Sequence, residues 1–214
     1  MANMKSKAFI CKGLLLIAAA LCLMGYNLWD AQRAAGSVEQ IVQRMEVQES
    51  GVPLDTDEPV TSIRPEEQTP AYILDPTMEM PTVEVSGNAY IGTLEILSLE
   101  LVLPVMSDWS YPKLKLAPCR CTGSAYLNDM VIAAHNYSAH FGALGSLDDG
   151  EVVVFTDVEQ NVFTYAVSEV EQIPAAAVEE MASGDWDLTL FTCTIGGKAR
   201  IAVRCDLVSD YPSQ

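Results

Sequence analysis

The sequence predicts an all-β domain from residue 89 onward, built as a closed or nearly closed β-barrel. Short runs rich in β-branched residues recur at spacings of about 8–20 residues, and turn signals such as Asp148-Asp149-Gly150 separate them. Helix is scarce in this domain, since Ala175–Met181 is the only segment with a helix-like sequence. Many short strands with little helix are typical of small barrels. The predicted strands are Ala89–Ile96, Leu101–Val105, Met130–Ala134, Glu151–Phe155, Val162–Glu169, Leu188–Cys193 and Arg200–Leu207.

An apolar segment lies near the N-terminus. Residues 8–29 are interrupted only by Lys12 and Asn27, and about 20 apolar residues suffice for a helix to cross a bilayer. Lysines without acids precede it, so the positive-inside rule places the N-terminus in the cytoplasm and the later domain outside. We predict a single-pass, uncleaved transmembrane signal-anchor within residues 1–29. A cleaved signal peptide, with small residues at 34–36, is the alternative.

A connecting region, residues 30–88, joins this anchor to the globular domain. Residues 30–49 predict a polar helix with a weak apolar stripe. Residues 50–88 hold six prolines and many acids, which is typical of a semi-extended linker. The globular domain is therefore predicted to occupy residues 89–214, held away from the membrane.

The charge balance excludes one class of partner. The chain has 12 Lys and Arg against 29 Asp and Glu, a net charge of −17. Nucleic acid is excluded because binding its phosphates needs clustered basic residues. A solvated, aggregation-resistant surface explains the acidity, with electrostatic steering of basic partners as the alternative.

Cysteine and histidine spacing gives little support for a metal or a disulfide framework. Cys119 and Cys121, followed by His135 and His140, resemble a zinc ligand set, but C-x-C is one residue shorter than the usual C-x-x-C. A disulfide between Cys205 and one of the other two cysteines stays open. We predict no cofactor; a calcium site is the alternative, although no dense carboxylate spacing supports it.

Three reactive side chains fall at predicted strand ends. Cys193 ends one strand, His135 follows an apolar strand, and Arg200 begins a strand after a short glycine-containing loop. Taken singly, such residues are more often core or edge residues of a sheet than functional ones. Strand ends and loops of a rigid scaffold are nevertheless where active residues concentrate. The combination indicates nucleophilic catalysis.

The three residue types suit attack on an amide. A cysteine thiolate is a strong nucleophile toward a carbonyl carbon. An imidazole titrates near pH 6.5 and a thiol near about 8.5, so the imidazole can donate a proton to the departing amine and accept one later. A guanidinium is a fixed positive donor for the oxyanion that develops.

The same segments resemble the signature elements of the sortase family. Thr189–Cys193 reads TLFTC and is similar to the TLxTC signature, and Arg200–Arg204 resembles the strand that bears the family's Arg. Val131–Asn136 resembles the segment that bears its His. The order His, Cys, Arg is that of the family, and the similarity covers roughly residues 89–209. Weaker likenesses lie in residues 91–96, 103–105, 141–144 and 149–152.

The resemblance implies an eight-stranded barrel anchored to the membrane of a Gram-positive cell. It implies cleavage of an LPxTG-type sorting signal on secreted surface proteins after its Thr. Cys193 would form a thioester with the signal, and an amine of a peptidoglycan precursor or of a pilin would then resolve it.

The resemblance also implies roles for the other residues. His135 matches the family's acid and base, and Arg200 matches its substrate-stabilising Arg. Arg204, on the same face by alternation, is the second candidate for that Arg. Thr192 and Ala134, next to the reactive residues, are predicted to bind substrate.

The subclass is left unassigned. Ala134, Leu97 and Glu151 replace residues that are common in the family, and Asp75-Pro76-Thr77 lacks the aromatic residue of the lid found in pilin-polymerising members. Two other functions fit the same domain. One is a non-catalytic, membrane-tethered binding module, and the other is a cysteine protease that transfers to water.

Overall fold

The computed structural model describes residues 12–26, 69–177 and 184–208. Helix α1 covers residues 12–26, and two four-residue helices follow, α2 (Ala71–Leu74) and α3 (Tyr111–Leu114). Short 3-10 turns lie at Leu97–Leu99 and Leu144–Ser146. The strands are β1 (Val83–Val85), β2 (Asn88–Ile96), β3 (Leu101–Met106), β4 (Cys119–Thr122), β5 (Met130–Ala133), β6 (Val152–Asp157), β7 (Val162–Pro174), β8 (Leu188–Cys193) and β9 (Ala199–Leu207).

Strands β2 to β9 close into a barrel. The order is β2-β3-β4-β5-β8-β9-β7-β6, and β6 returns to pair with β2. The pairs β3–β4 and β5–β8 are parallel and the others are antiparallel. The backbones of β2 and β6 approach closely where the barrel closes. A Cβ on Gly92 would lie only 2.1 Å from the carbonyl oxygen of Thr156. The prediction of a closed, all-β barrel of eight strands is confirmed.

The seven predicted strands are all present among the described residues, and two further strands were not predicted. Strand β4 has no apolar alternation, and it pairs with β5 and through one parallel bridge with β3. Strand β1 and helix α2 lie in residues 69–88, which had been predicted as linker. Residues 175–176 form a turn where the helix-like piece was predicted to begin, and residues 178–181 of that piece lie outside the described residues.

The N-terminal predictions fall largely outside the described residues. Residues 12–26 are helical, but the remainder of the predicted span, the polar helix and the linker up to residue 68 are not described. Within the described parts of the chain, the structure contains no helix with the length and apolar character needed to span a membrane.

Side-chain alternation along β8 and β9 separates the barrel core from an outer face. Leu190 and Val203 are fully buried in the main core cluster. Phe191 and Ala202, one position away, pack in a separate small cluster, since successive side chains of a strand point to opposite faces. The outer face of β8 and β9 therefore carries an apolar patch of its own. On the inner face, full burial of an aliphatic side chain such as that of Leu190 stabilises the fold by about 1.5–3 kcal/mol.

Helix α2 packs at one end of the barrel. Its Tyr72 ring stacks on Tyr126 with centroids 4.7 Å apart and lies 5.4 Å from the ring of Phe163. Phe163 lies near the start of β7, whereas the last residue of β7, Pro174, pairs with Ala199 at the other end of the barrel. Helix α2 is therefore remote from the turn between β8 and β9.

A buried carboxylate ties together the hairpin between β6 and β7. Asp157 is 2% exposed. Its Oδ2 accepts hydrogen bonds from the Tyr126 hydroxyl at 2.7 Å and from Asn161 Nδ2 at 2.8 Å. Its Oδ1 accepts from the backbone N–H groups of Glu159 at 2.8 Å and Asn161 at 2.9 Å. Four donors therefore depend on one side chain.

Replacing Asp157 by Ala is expected to lower the free energy of unfolding by about 3 kcal/mol, because buried donors then lose their acceptor. Urea unfolding measures the change. Asp206→Ala is the matched control, since the Asp206 carboxylate is exposed and bonds the Ser168 hydroxyl at 2.6 Å. The control is expected to change the free energy by no more than about 0.5 kcal/mol. Equal effects of the two substitutions would contradict the role of Asp157.

Candidate active site

Cys193 and Arg200 face each other across two antiparallel strands. Cys193 is the last residue of β8, and it pairs directly with Arg200 in β9. The Cβ atoms of directly opposed residues lie about 4.5–5.5 Å apart, on the same face of the sheet. Both residues are partly buried. The thiol and the guanidinium stem thus emerge side by side from the outer face of the barrel.

His135 lies two residues beyond the end of β5, the strand that pairs with β8. Strands β5 and β8 run parallel with Ala133 beside Phe191. The backbone N–H of Ala134 donates to the carbonyl oxygen of Phe191 at 3.2 Å, so this register continues past the end of β5. Extended by one more residue, this register predicts His135 at the level of Cys193, with neighbouring strands about 4.8 Å apart. Strands β5, β8 and β9 therefore direct the segments of His135, Cys193 and Arg200 to the same end of the barrel.

Thr192 and Ala134 hold the two strand ends together. The Thr192 hydroxyl donates to the carbonyl oxygen of Ala134 at 2.9 Å. Both side chains are buried, and alternation turns the Thr192 side chain away from the face that carries Cys193. Binding of substrate by these two residues stays a prediction, and the burial of their side chains favours a supporting role.

A tight turn sets the pairing of Cys193 with Arg200. The Thr194 hydroxyl accepts from the backbone N–H of Ala199 at 3.1 Å, and Gly197 N–H donates to the Thr194 carbonyl at 2.8 Å. Gly196 and Gly197 have φ of 84° and 69°, a left-handed conformation that glycine adopts without steric cost. The Arg200 guanidinium donates through Nη1 to the carbonyl oxygens of Ala199 at 3.2 Å and Gly197 at 3.4 Å.

Arg204 is engaged elsewhere on the same face. It is 2% exposed, its Nε donates to Glu171 Oε1 at 2.8 Å, and its Nη1 donates to the Thr189 hydroxyl at 3.0 Å. Four residues of strand separate it from Arg200, which corresponds to about 13 Å. Of the two arginines, the geometry favours Arg200 as the partner of Cys193.

An apolar patch lies next to the three polar residues. It consists of Ile173, Phe191 and Ala202, with Ala177 packed against them. Ile173 pairs with Arg200, and Phe191 pairs with Ala202, one step farther along the face. Ile173 and Ala202 are buried, whereas Phe191 is partly exposed, so Phe191 is the member of this cluster that a ligand could reach. The sequence did not indicate Ile173, because its place here depends on the pairing of β7 with β9.

The second histidine of the chain is unsuited to proton transfer with a ligand. His140 is 0% exposed, and among the described residues neither of its ring nitrogens has a hydrogen-bond partner. Burial lowers its pKa to about 4, with a smaller contribution from the charge of His135. His140 is therefore neutral near pH 7 and sealed from solvent, whereas His135 is partly exposed beside Cys193.

The burial of His140 predicts a loss of stability in acid. Its pKa in the folded chain lies below its ordinary value of 6.5, so between pH 6.5 and about 4 the unfolded chain takes up a proton that the folded chain does not. His140→Phe removes this titration. The wild-type free energy of unfolding should fall by about 2–3 kcal/mol more than that of His140→Phe between pH 7.5 and 4.5. Urea unfolding at the two pH values measures these changes. An equal loss of free energy of unfolding in the wild type and in His140→Phe would contradict the prediction.

The other thiols of the barrel are poor nucleophiles. Cys119 and Cys205 are buried and Cys121 is half-buried, and all are free. Burial raises the pKa of Cys119 and Cys205 to about 12 and that of Cys121 to about 11. The disulfide that the sequence left open is therefore not formed in this structure. No three described His, Cys, Asp or Glu side chains are grouped so that they could hold a metal ion.

A cleft of about 580 Å³ lies on another part of the barrel. Its lining includes Trp109, Arg120 and Cys121 but none of the three residues brought together at the end of β8. The Arg120 side chain is committed to the backbone there, with Nε donating to Ser107 O at 2.9 Å and Nη1 to Gly123 O at 3.1 Å. The cleft is therefore separate from the candidate site.

Comparison with known proteins gives one family. The family model described as "Sortase domain" matches residues 94–208. No curated protein sequence matches the chain significantly.

Solved structures share the fold at low sequence identity. Sortase A from Corynebacterium diphtheriae is 18% identical with a TM-score of 0.52; the match covers 59% of this chain and 64% of that chain, less than two thirds of its length. Sortase C1 from Streptococcus suis is 24% identical, covering 58% and 75%, with a TM-score of 0.50. Streptococcus pneumoniae sortase C is 21% identical, covering 61% and 73%, with a TM-score of 0.51.

Proposed function

Because the chain belongs to the sortase family, with its sortase domain at residues 94–208, we propose that it is a cysteine transpeptidase that acts through Cys193. One observation carries the proposal. Strand β5, which is distant in sequence, pairs with β8, and β8 pairs with β9, so that Cys193 lies opposite Arg200 and the segment that contains His135 continues from the strand beside them.

The proposed reaction begins with attack of the Cys193 thiolate on the carbonyl carbon of a peptide bond. The C=O π electrons move to oxygen, and the Arg200 guanidinium stabilises this oxyanion. When the tetrahedral intermediate collapses, the C–N bond breaks and His135 donates a proton to the departing amine. The product is a thioester between Cys193 and the acyl part of the substrate.

An incoming amine completes the reaction. It attacks the thioester carbonyl and loses a proton to His135, and the C–S bond breaks to release the Cys193 thiolate. Proton and thiolate return to their starting positions, so the net change is the exchange of one amide for another. No metal or redox cofactor enters this scheme.

The proposed substrate is a sorting signal of LPxTG type, cleaved after its Thr. The partly exposed Phe191, two residues before Cys193 on the same face of β8, supports an extended peptide with an apolar residue near the scissile bond. The proposed acceptor is an amine of a peptidoglycan precursor or of a pilin. We also propose that the N-terminal segment anchors the chain in the cell membrane, with the barrel on the extracellular side.

Intact-mass spectrometry tests the proposed function. The full chain in mild detergent is incubated with a library of LPxTG-type peptides, with and without an amine acceptor, and Cys193→Ala is the control. An acyl adduct on Cys193 that amine resolves faster than water supports a transpeptidase. An adduct resolved by water alone indicates a hydrolytic protease. A folded protein that forms no adduct with any peptide indicates a non-catalytic binding module.

A further inference from the structure

The Tyr137 ring contacts both histidine rings of the chain. The His135 and Tyr137 ring centroids are 5.0 Å apart with the planes inclined by 39°. The Tyr137 and His140 ring centroids are 5.5 Å apart with the planes inclined by 49°. Tyr137 is half-buried and His140 is fully buried. The Tyr137 ring thus contacts both a partly exposed imidazole and a sealed one.

The backbone fixes these rings relative to each other. Phe141 N–H donates to the carbonyl oxygen of His135 at 3.2 Å, which closes the loop. The N–H groups of His140 and Gly142 both donate to the carbonyl oxygen of Tyr137, at 3.0 and 2.9 Å. A Cβ on Gly142 would lie 2.7 Å from that same oxygen. The loop is therefore compact and has no room for a side chain at residue 142.

Contact with Tyr137 has two consequences for His135. The aromatic ring restricts the rotation of an imidazole that would otherwise stand at a strand end. An aromatic ring also attracts a cation, so it favours the imidazolium form. His140 adds no opposing charge, because a sealed imidazole without a hydrogen-bond partner stays neutral near pH 7.

We propose that Tyr137 is a positioning residue for His135, and that buried His140 holds the Tyr137 ring in its place. The inference rests on the proposed function, since it assigns His135 a proton transfer for which its orientation matters. Tyr137 acts through His135 and does not itself touch the reacting atoms.

Replacing Tyr137 by Leu keeps apolar bulk and removes the ring. The expected result is a fall in kcat of about tenfold with KM unchanged, because a small misplacement of a catalytic group slows the chemical step. The titration midpoint of His135 should fall by about half a pH unit, because the imidazolium loses the ring. Tyr137→Phe keeps the ring and should match the wild type in both measurements.

The titration of His135 can be followed by NMR, because the chain contains only two histidines. Selective labelling of the imidazole Cε1 in the full chain, kept in detergent, therefore yields two NMR signals. His140→Phe removes one signal and assigns the other to His135. That variant also retains a ring behind Tyr137, so its His135 midpoint and its kcat at pH 7.5 should stay near those of the wild type.

A second variant covers the case in which Tyr137→Leu does not fold. Gly142→Ala forces the Tyr137 carbonyl to move while leaving every ring intact, and it should reproduce the lower kcat and the shifted His135 midpoint. Wild-type kcat and a wild-type midpoint in a folded Tyr137→Leu or Gly142→Ala variant would overturn the positioning role. Failure of the proposed function itself would give a different result, because the wild-type chain would then form no adduct on Cys193.

Discussion

Replacing Cys193 by Ala is expected to abolish both cleavage of a sorting-signal peptide and transfer to an amine. Removal of a covalent nucleophile costs about 10⁴-fold or more in kcat. No other thiol of the described barrel is suited to replace it, because burial raises the pKa of Cys119 and Cys205 to about 12 and that of Cys121 to about 11. Cys193 is partly exposed at a strand end, so its truncation should leave the free energy of unfolding within about 1 kcal/mol.

Peptide turnover and urea unfolding measured on the same preparations test this expectation. Cys121→Ala is the matched control, because Cys121 is also a free and partly buried thiol at a barrel strand. It should retain wild-type turnover. Turnover that survives in Cys193→Ala but disappears in Cys121→Ala would overturn the assignment of the nucleophile.

The two arginines of β9 are expected to respond in opposite ways. Arg200→Ala should lower kcat/KM by about 10²–10³-fold, the usual cost of removing one oxyanion donor, with little loss of stability. Arg204→Ala should instead destabilise the fold by about 1–3 kcal/mol, because it removes a buried side chain together with its hydrogen bonds to Glu171 and Thr189. The Arg204–Glu171 contact at 2.8 Å involves a guanidinium side chain only 3% exposed.

Turnover at a temperature where both variants are folded separates these effects. Arg200→Lys keeps the charge but loses the planar donor fork, so it should recover only part of the activity. If Arg204→Ala, while folded, lost more turnover than Arg200→Ala, the choice of Arg200 as the partner of Cys193 would be wrong.

Much of the barrel could be predicted because local chemistry encodes it. Runs such as Met130–Ala133 and Leu188–Cys193 carry the β-branched and apolar residues that fit a pleated surface, and glycine-containing turns delimit them. Strand β4, CRCT, could not be predicted, because its four residues have no pattern of their own and are extended through pairing with β5. Alternation along the strand places Arg200 and Arg204 on the same face, so the sequence could not separate them. The structure does, because it buries Arg204 and leaves Arg200 partly exposed.

The sequence identifies the reactive groups, which are a thiol, two imidazoles and two arginines, and it places Cys193, His135 and Arg200 at or next to predicted strand ends. Tertiary structure decided which of them meet. Parallel pairing of β5 with β8 directs the segment of His135 towards that of Cys193, and the turn after Thr194 places Arg200 opposite Cys193. The same folding seals His140 in the core. Proximity and burial arise from strand register, which long-range pairing sets and no local pattern records.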